Sequence, residues 1–456
     1  MASKTRIGFV SLGCPKNLVD TEIMLKHLAD EGYEITPEET EADIVVVNTC
    51  AFIESAKKES IDSIIDLGWL KKHNGLKGII VTGCLAERYR DEVPKELPEV
   101  DAVLGVGSIH RIGEAVKAVL EKAGKKGGRK RVYSCFDDKE TSALGGERVV
   151  TTGEAMAYLK IAEGCSNRCT YCAIPMIRGK MRSRTMKEIV EEATSLDAMG
   201  VKELVLVAQD TSAYGIDLYG DYVLPDLIRG IADATKIPWI RLLYCYPDKI
   251  TDKLIEEFKT NPRLVKYVDI PVQHISDSVL KRMNRHGDSA MIREAVAKLR
   301  TVPGMVLRST AIVGFPGETE EDFRALCEFV KEAKFERFGA FPYSQEENTP
   351  AAEFPDQIDE QTKQDRYDVL MRTELPISEA FNRSRVGKTV RVLCEGWDPV
   401  AESHYGRSYA EAAEIDGKIW FTTKRKDLRI AEGEMLDVKI TEAMDYDLVG
   451  EAILNV

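Results

Sequence analysis

The sequence predicts an α/β protein in three parts: an N-terminal open parallel sheet with helices, a central partial (β/α) barrel of six strands, and a C-terminal small all-β barrel of OB-like type. Three observations predict it. Strand-like apolar runs alternate with stretches of helical period over the first 122 residues. A second alternating series, with six strand-like runs, follows a Gly-rich basic interruption, and beyond Val386 short alternating runs replace helical sequence altogether. The 456 residues suffice for two or three separate cores, and with 30% of them charged no apolar run approaches the roughly 20 residues of a membrane span.

The elements follow in order. Residues 6–12 are strand-like, 20–30 helical, 43–48 a buried strand (its core IVVV), and 53–67 helical again. Residues 78–82 and 102–106 give a third and fourth strand, and 111–122 a closing amphipathic helix. Residues 123–131, AGKKGGRKR, read either as a solvated connector or as a nucleic-acid contact. The second series has its strands at 157–161, 203–208, 239–244, 267–272, 305–313 and 337–343. Pro342, Pro350 and Pro355 then mark a loop, 359–383 a helix, and 389–394, 418–422, 436–441 and 448–453 the strands of the last module. The expected domains are 1–125, a linker at 126–150, 151–383 and 384–456.

Charge restricts the partners. With 63 Lys and Arg against 76 Asp and Glu the net charge is -13, which disfavours a broad phosphate-binding surface and favours a basic protein partner. The N-terminal residues enter a strand at once, with no apolar signal core, so a cytoplasmic location is expected.

Ten cysteines are too sparse for a disulfide scaffold and too many to ignore. Cys165, Cys169 and Cys172 lie in GCSNRCTYCAIP, a C-x3-C-x2-C loop just after the first strand of the second series. Three thiolates on one loop bind a metal centre together, and soft sulfur suits an iron–sulfur cluster or zinc. Three ligands leave one iron of a cubane open; the rival reading is a zinc loop that borrows a distant fourth ligand. Cys14, Cys50 and Cys84 are far apart in sequence, yet each follows a predicted parallel strand and precedes a helix. Loops at that edge of an open α/β sheet are where such folds place ligands. They read as a second three-thiolate cluster site or, alternatively, as small core hydrophobes. Cys135, Cys245, Cys327 and Cys394 lack ligand spacing and read as core or spectator thiols.

The C-x3-C-x2-C loop with Tyr171 before its last cysteine, the six-strand series behind it and the N-terminal triplet together resemble the radical S-adenosylmethionine (SAM) methylthiotransferases, over nearly the whole chain. The resemblance implies two [4Fe-4S] clusters, one at Cys165, Cys169 and Cys172 that cleaves SAM to a 5'-deoxyadenosyl radical, and an auxiliary one at Cys14, Cys50 and Cys84 that carries the sulfur. It implies two SAM molecules, one methylating that sulfur and one supplying the radical, and a reducing electron donor such as flavodoxin or ferredoxin. GCPKNLVD (13–20), NTCAFIESAKKESID (48–62) and PVQHIS (271–276) resemble the branch that modifies the β-carbon of an aspartate in small-subunit ribosomal protein twelve. The alternative is the branch that modifies adenosine in transfer RNA, which typically has GCQMN at the first site. A rival of another class is a non-catalytic, metal-stabilised RNA-binding module.

The resemblance also implies a SAM site. The loop backbone at Tyr171 and Ala173 would meet adenine, and polar residues at strand ends would hold the rest: Gln209 beside Asp210, Gln273 beside His274, and Arg308 as the carboxylate partner or else in a salt bridge. Gly314 and Gly317 in IVGFPGE would let the backbone approach adenosine closely. Arg178, Lys180, Arg182 and Arg184 either offset cluster and substrate charge or form a solvated loop. The last module resembles the TRAM domain, which in many proteins binds RNA. Here residues 386–456 carry 9 Lys and Arg against 14 Asp and Glu, a net charge of -5, which repels phosphate and attracts basic protein.

Overall fold

The computed structural model describes residues 4–123, 132–153, 155–424 and 429–453. Most of the basic stretch 123–131 therefore lies outside the described residues. The chain divides into two compact units, residues 1–151, 162–184 and 346–349 in the first, and 152–161, 185–345 and 350–456 in the second.

In the first unit the strands are β1 (Arg6–Ser11), β2 (Glu34–Thr36), β3 (Ile44–Thr49), β4 (Gly78–Gly83), β5 (Ala102–Leu104) and β6 (Tyr133–Cys135), all parallel in the order β2-β1-β3-β4-β5-β6. Helices α1 (Pro15–Asp30), α2 (Glu54–His73), α3 (Cys84–Arg88), α4 (Val93–Glu96) and α5 (Ile112–Ala123) connect them. The IVVV run lacks alternation because both faces of β3 are covered. Val45, Val47, Ile79 and Val81 pack with Ile64 and Leu67 of α2, while Ile44, Val46 and Ile80 pack with Met24 and Leu28 of α1 and Val116 of α5. Each such side chain, fully buried, contributes about 1.5–3 kcal/mol.

Two strands go beyond the four read from sequence. The three-residue edge strands β2 and β6 pair with β1 and β5, and β6 falls inside 126–150, the stretch expected to be a linker. The end of that stretch is also tied down, because buried Glu22 of α1 accepts from Arg148, from the Thr151 amide at 2.7 Å and from the Thr151 hydroxyl at 3.0 Å.

The second unit contains β7 (Met156–Lys160), after which the chain supplies β8 (Ala162–Glu163), α6 (Ile174–Arg178) and β9 (Arg182–Ser183) to the first unit. Strands β10 (Glu203–Val207), β11 (Trp239–Leu242), β12 (Leu264–Asp269), β13 (Val306–Val313) and β14 (Arg337–Pro342) follow β7 with helices between them. All six pair in parallel and in sequence order, leaving β7 and β14 as open edges: a β/α succession that stops short of closure. The helix expected at 359–383 spans Glu360–Arg385, started by Asp359, whose carboxylate accepts from the Thr362 amide.

The C-terminal strands β15 (Thr389–Asp398), β16 (Ser403–Arg407), β17 (Ile419–Thr422), β18 (Met435–Ala443) and β19 (Leu448–Ile453) close into a barrel in the order β15-β16-β17-β19-β18. Within this unit, every strand of the six-stranded sheet sends a side chain to residues 407–416 of the small barrel. Tyr158 donates to Glu414 at 3.0 Å, Glu203 pairs with Arg407 at 2.7 Å, and Arg241 reaches the Tyr409 carbonyl at 2.8 Å. Tyr267 donates to Asp416 at 2.7 Å, Arg308 lies 3.7 Å from Asp416, and Arg337 pairs with Glu411 at 2.8 Å. The segment 407–416 is thus tied to every strand of the sheet by a polar or charged side chain.

Candidate metal centres

Both cysteine triplets belong to the first unit, and all ten cysteines are thiols. Cys14 follows β1 as the residue before the first turn of α1, whose Pro15 suits a position with no amide to satisfy. Cys50 follows β3, and Cys84 opens α3 directly after β4. Since β1, β3 and β4 are adjacent and parallel, the three loops share the C-terminal edge of the sheet.

Two glycines permit the approach of these loops. Gly13 has φ +95°, and a Cβ there would lie 2.9 Å from the Cys50 Cβ and 3.2 Å from its Sγ. Gly83 has φ +91°, and a Cβ would overlap Asn48 Oδ1 and the Thr49 carbonyl. Asn17 then ties the three loops together. Its amide donates to the Leu12 carbonyl at 3.0 Å and the Thr49 carbonyl at 2.8 Å, and its Oδ1 lies 3.8 Å from Cys84 Sγ. Asn48 reciprocates with a 2.7 Å bond to the Asn17 carbonyl, and the Cys50 amide is held at 3.0 Å by the Ser60 hydroxyl.

The three thiols sit in different fields. Burial pushes Cys84 up to about 12 and also raises Cys50. At Cys14 burial acts the same way but is outweighed by the charges of Lys16 and Arg178 and by the amides of Asn17 and Lys16, so this thiol falls below its ordinary value.

The second triplet lies on the loop between β8 and α6. The Cys165 amide donates to the Gly179 carbonyl at 3.1 Å, closing the loop, and the Cys172 amide to the Cys169 carbonyl at 3.0 Å. Donors already face the sulfurs: Asn167 Nδ2 lies 3.5 Å from Cys165 Sγ and the Ile174 amide 3.4 Å from Cys172 Sγ. Such donors suit sulfur carrying negative charge, as in a thiolate ligand. Among the described residues no three His, Cys, Asp or Glu side chains converge on a single metal-ion position. Each set offers three soft sulfur donors, the ligand type that suits an iron–sulfur cluster.

Tyr171 is half-buried in the loop, whereas Ala173 is buried at the start of α6 and packs, with Ile177, into the apolar layer that also holds Cys84. Of the basic residues after the loop, only Lys180 is exposed. Arg178 and Arg184 are buried, and half-buried Arg182 donates to the Ser142 carbonyl at 2.7 Å. The solvated-loop reading therefore fits Lys180 alone.

In the second unit Gln209 follows β10, next to Asp210, whose carboxylate pairs with buried Lys249 at 3.0 Å and accepts from the Ala213 amide. Gln273 has φ +67° and is pinned to β13 by two 2.8 Å bonds, its amide to Thr310 and its carbonyl from Ile312. Its Oε1 is buried without a partner among the described residues, a polar atom available to a ligand. His274 beside it is fully buried. Burial lowers its pKa to about 4, so the ring is neutral, and its Nδ1 accepts from the Ser276 amide at 3.0 Å.

Arg308 makes the salt bridge left open as its alternative, its guanidinium 2.9 Å from Asp269 and 3.7 Å from Asp416 of the small barrel. A Cβ on Gly314 would overlap Lys363 and one on Gly317 would overlap Arg282, so these turns bring the protein's own side chains against the glycines. Sequence reasoning also passed over Asn17 and Glu163. Both sit within three residues of a proposed ligand, and a polar residue buried that close to a cysteine is the signal that would have found them.

Comparison with known proteins agrees with this architecture. Residues 6–105 match the model described as uncharacterized protein family UPF0004, 159–330 the radical SAM superfamily and 386–453 the TRAM domain. The chain is 48% identical over 445 residues, 98% of its length and 99% of the relative's, to the ribosomal protein uS12 methylthiotransferase RimO of Thermoanaerobacter sp.. It is 50% identical over 445 residues, 98% and 99%, to that of Caldanaerobacter subterraneus, and 47% identical over 456 residues, 99% of both chains, to that of Geobacter sulfurreducens. Among solved structures, the radical SAM methyltransferase TsrM of Kitasatospora setae, with cobalamin and a [4Fe-4S] cluster bound, shares the fold at TM-score 0.55 and 15% identity over 76% of this chain and 77% of that one. The chain belongs to the family of ribosomal protein uS12 methylthiotransferases, RimO.

Proposed function

We propose that this protein adds a methylthio group to the β-carbon of an aspartate in ribosomal protein uS12. The observation that carries the chemistry is the presence of two three-thiol sites in one compact unit, one on a C-x3-C-x2-C loop and one at the shared edge of β1, β3 and β4. The substrate rests on near-full-length identity to enzymes named for uS12. Held by these thiolates, [4Fe-4S] clusters would supply the electron that splits SAM and the place from which sulfur is delivered.

The residues divide the work. Cys165, Cys169 and Cys172 hold the radical-generating cluster; Cys14, Cys50 and Cys84 hold the auxiliary one. The backbone at Tyr171 and Ala173 positions the adenine of SAM, and Gln209 and Gln273 offer side-chain amides at strand ends. Neutral His274, next to Gln273, adds no charge there. Residues 1–125 form the auxiliary-cluster domain, 151–383 the radical SAM domain and 384–456 the TRAM domain, whose acidic balance favours a Lys- and Arg-rich ribosomal protein over nucleic acid. A reducing protein such as flavodoxin or ferredoxin supplies the electron. No helix among the described residues is long and apolar enough to cross a membrane; a ribosomal substrate supports a cytoplasmic location.

The test is mass analysis of uS12 and of transfer RNA from a strain lacking this gene. Loss of the methylthio group from uS12 with transfer RNA unchanged is expected. The reverse result would assign the chain to the RNA-modifying branch.

A further inference from the structure

Arg178 ends α6, one short helix beyond the C-x3-C-x2-C loop, and is 2% exposed. Its Nη1 donates to Asp20 at 2.9 Å and to Glu163 at 3.0 Å, and its Nη2 to Asn17 Oδ1 and, at 3.6 Å, to Cys84 Sγ. These partners are not scattered. Glu163 lies two residues before Cys165, Asn17 and Asp20 lie on the helix that Cys14 begins, and Cys84 is itself a proposed ligand. One guanidinium therefore joins the flanks of both triplets within the first unit.

Burying a guanidinium is costly unless carboxylates compensate it, and Asp20 and Glu163 do so through one nitrogen. That would make a complete structural clamp. The second nitrogen does something the clamp does not require, because besides its bond to Asn17 it aims an N–H at a thiol sulfur. A positive donor at a ligating sulfur draws charge from it and stabilises the more negative, reduced state of a cluster, which raises its reduction potential. Arginine suits the position because its rigid fork serves both sides at once, whereas a lysine ammonium is a single point.

We propose that Arg178 is a positioning residue of the auxiliary centre, raising that centre's reduction potential through Cys84 while holding it in register with the C-x3-C-x2-C loop through Glu163. The inference rests on the assignment of Cys14, Cys50 and Cys84 to an auxiliary cluster.

The experiment uses the full-length protein, reconstituted anaerobically, with Arg178→Gln and Arg178→Lys variants. Each is followed by potentiometric titration with electron paramagnetic resonance detection and by iron release to a chelator. In Arg178→Gln the auxiliary signal should titrate at a more negative potential and its iron should leave faster, with the Cys165 cluster moving less. Arg178→Lys, which keeps the charge and loses the fork, should shift in the same direction by a smaller amount, and it decides alone if Arg178→Gln does not fold. Unchanged auxiliary potentials in the folded variants, or a shift confined to the Cys165 cluster, overturn the inference. A single cluster signal in the unsubstituted protein would instead refute the auxiliary-cluster assignment and this inference with it.

Discussion

Cys165 and Cys84 are both buried cysteines at the end of a strand, yet their replacement should produce different failures. If Cys165 is a ligand of the radical-generating cluster, as proposed, Cys165→Ala should abolish 5'-deoxyadenosine formation from SAM. Cys84→Ala should leave SAM cleavage in place and abolish transfer of the methylthio group. Chromatographic quantification of deoxyadenosine beside mass analysis of uS12 separates the two, and a Cys165→Ala variant that still cleaves SAM would remove that loop from the account. Asn17 is the structural counterpart. Replacing it with Ala removes the donor to the Leu12 and Thr49 carbonyls, and the buried bond to Thr49 alone is worth about 1–3 kcal/mol. A lowered urea midpoint of the apoprotein together with loss of auxiliary iron is expected. The cysteines were legible in the sequence because ligand spacing and position after a strand are local properties. Arg308 was not: which carboxylate a guanidinium reaches depends on Asp269 and Asp416, brought in from another strand and another domain.

Elements were legible where apolar residues set the period and were missed where they did not. The fully buried β3 and β4 announce themselves, whereas β16, SHYGR, has no branched apolar residue and is held by its neighbours β15 and β17. Edge strands β2 and β6 are three residues long, too short for a period to show. The polar segment 407–416 is the larger omission, because it reads as a loop but meets all six strands of the sheet. Its centre is Glu411, paired with Arg337 and Arg385. Burial alone would raise this carboxyl, but the charges of Arg385 and then Arg337 hold it well below the usual carboxylate range, and Arg241 and Arg407 lower Glu203 in the same way. Glu411→Gln leaves two buried guanidinium groups without their charge partner and should cost roughly 3–5 kcal/mol. The pH dependence follows from the sign. A carboxyl lowered in the folded state contributes stability that is present above its unfolded pKa, about 4.3, and is lost as pH falls through the folded value. Urea midpoints should therefore fall on acidification below about pH 4.3 and fall less steeply in Glu411→Gln. Equal acid sensitivity in both proteins would show that Glu411 does not carry the effect.

For the whole molecule, the account requires two clusters on one chain. What favours it over thiols packed as core residues is the shared edge of β1, β3 and β4, where Cys14, Cys50 and Cys84 follow their strands. The net charge of -13 and the acidic C-terminal module bear on the substrate, not on the clusters. The most direct measurement is the iron and labile sulfide content of the anaerobically purified protein, taken beside the Cys84→Ala variant. The account predicts about eight irons per chain, falling to about four in the variant, as two cubane clusters require. About four irons in both proteins would contradict it, leaving Cys14, Cys50 and Cys84 as packing residues.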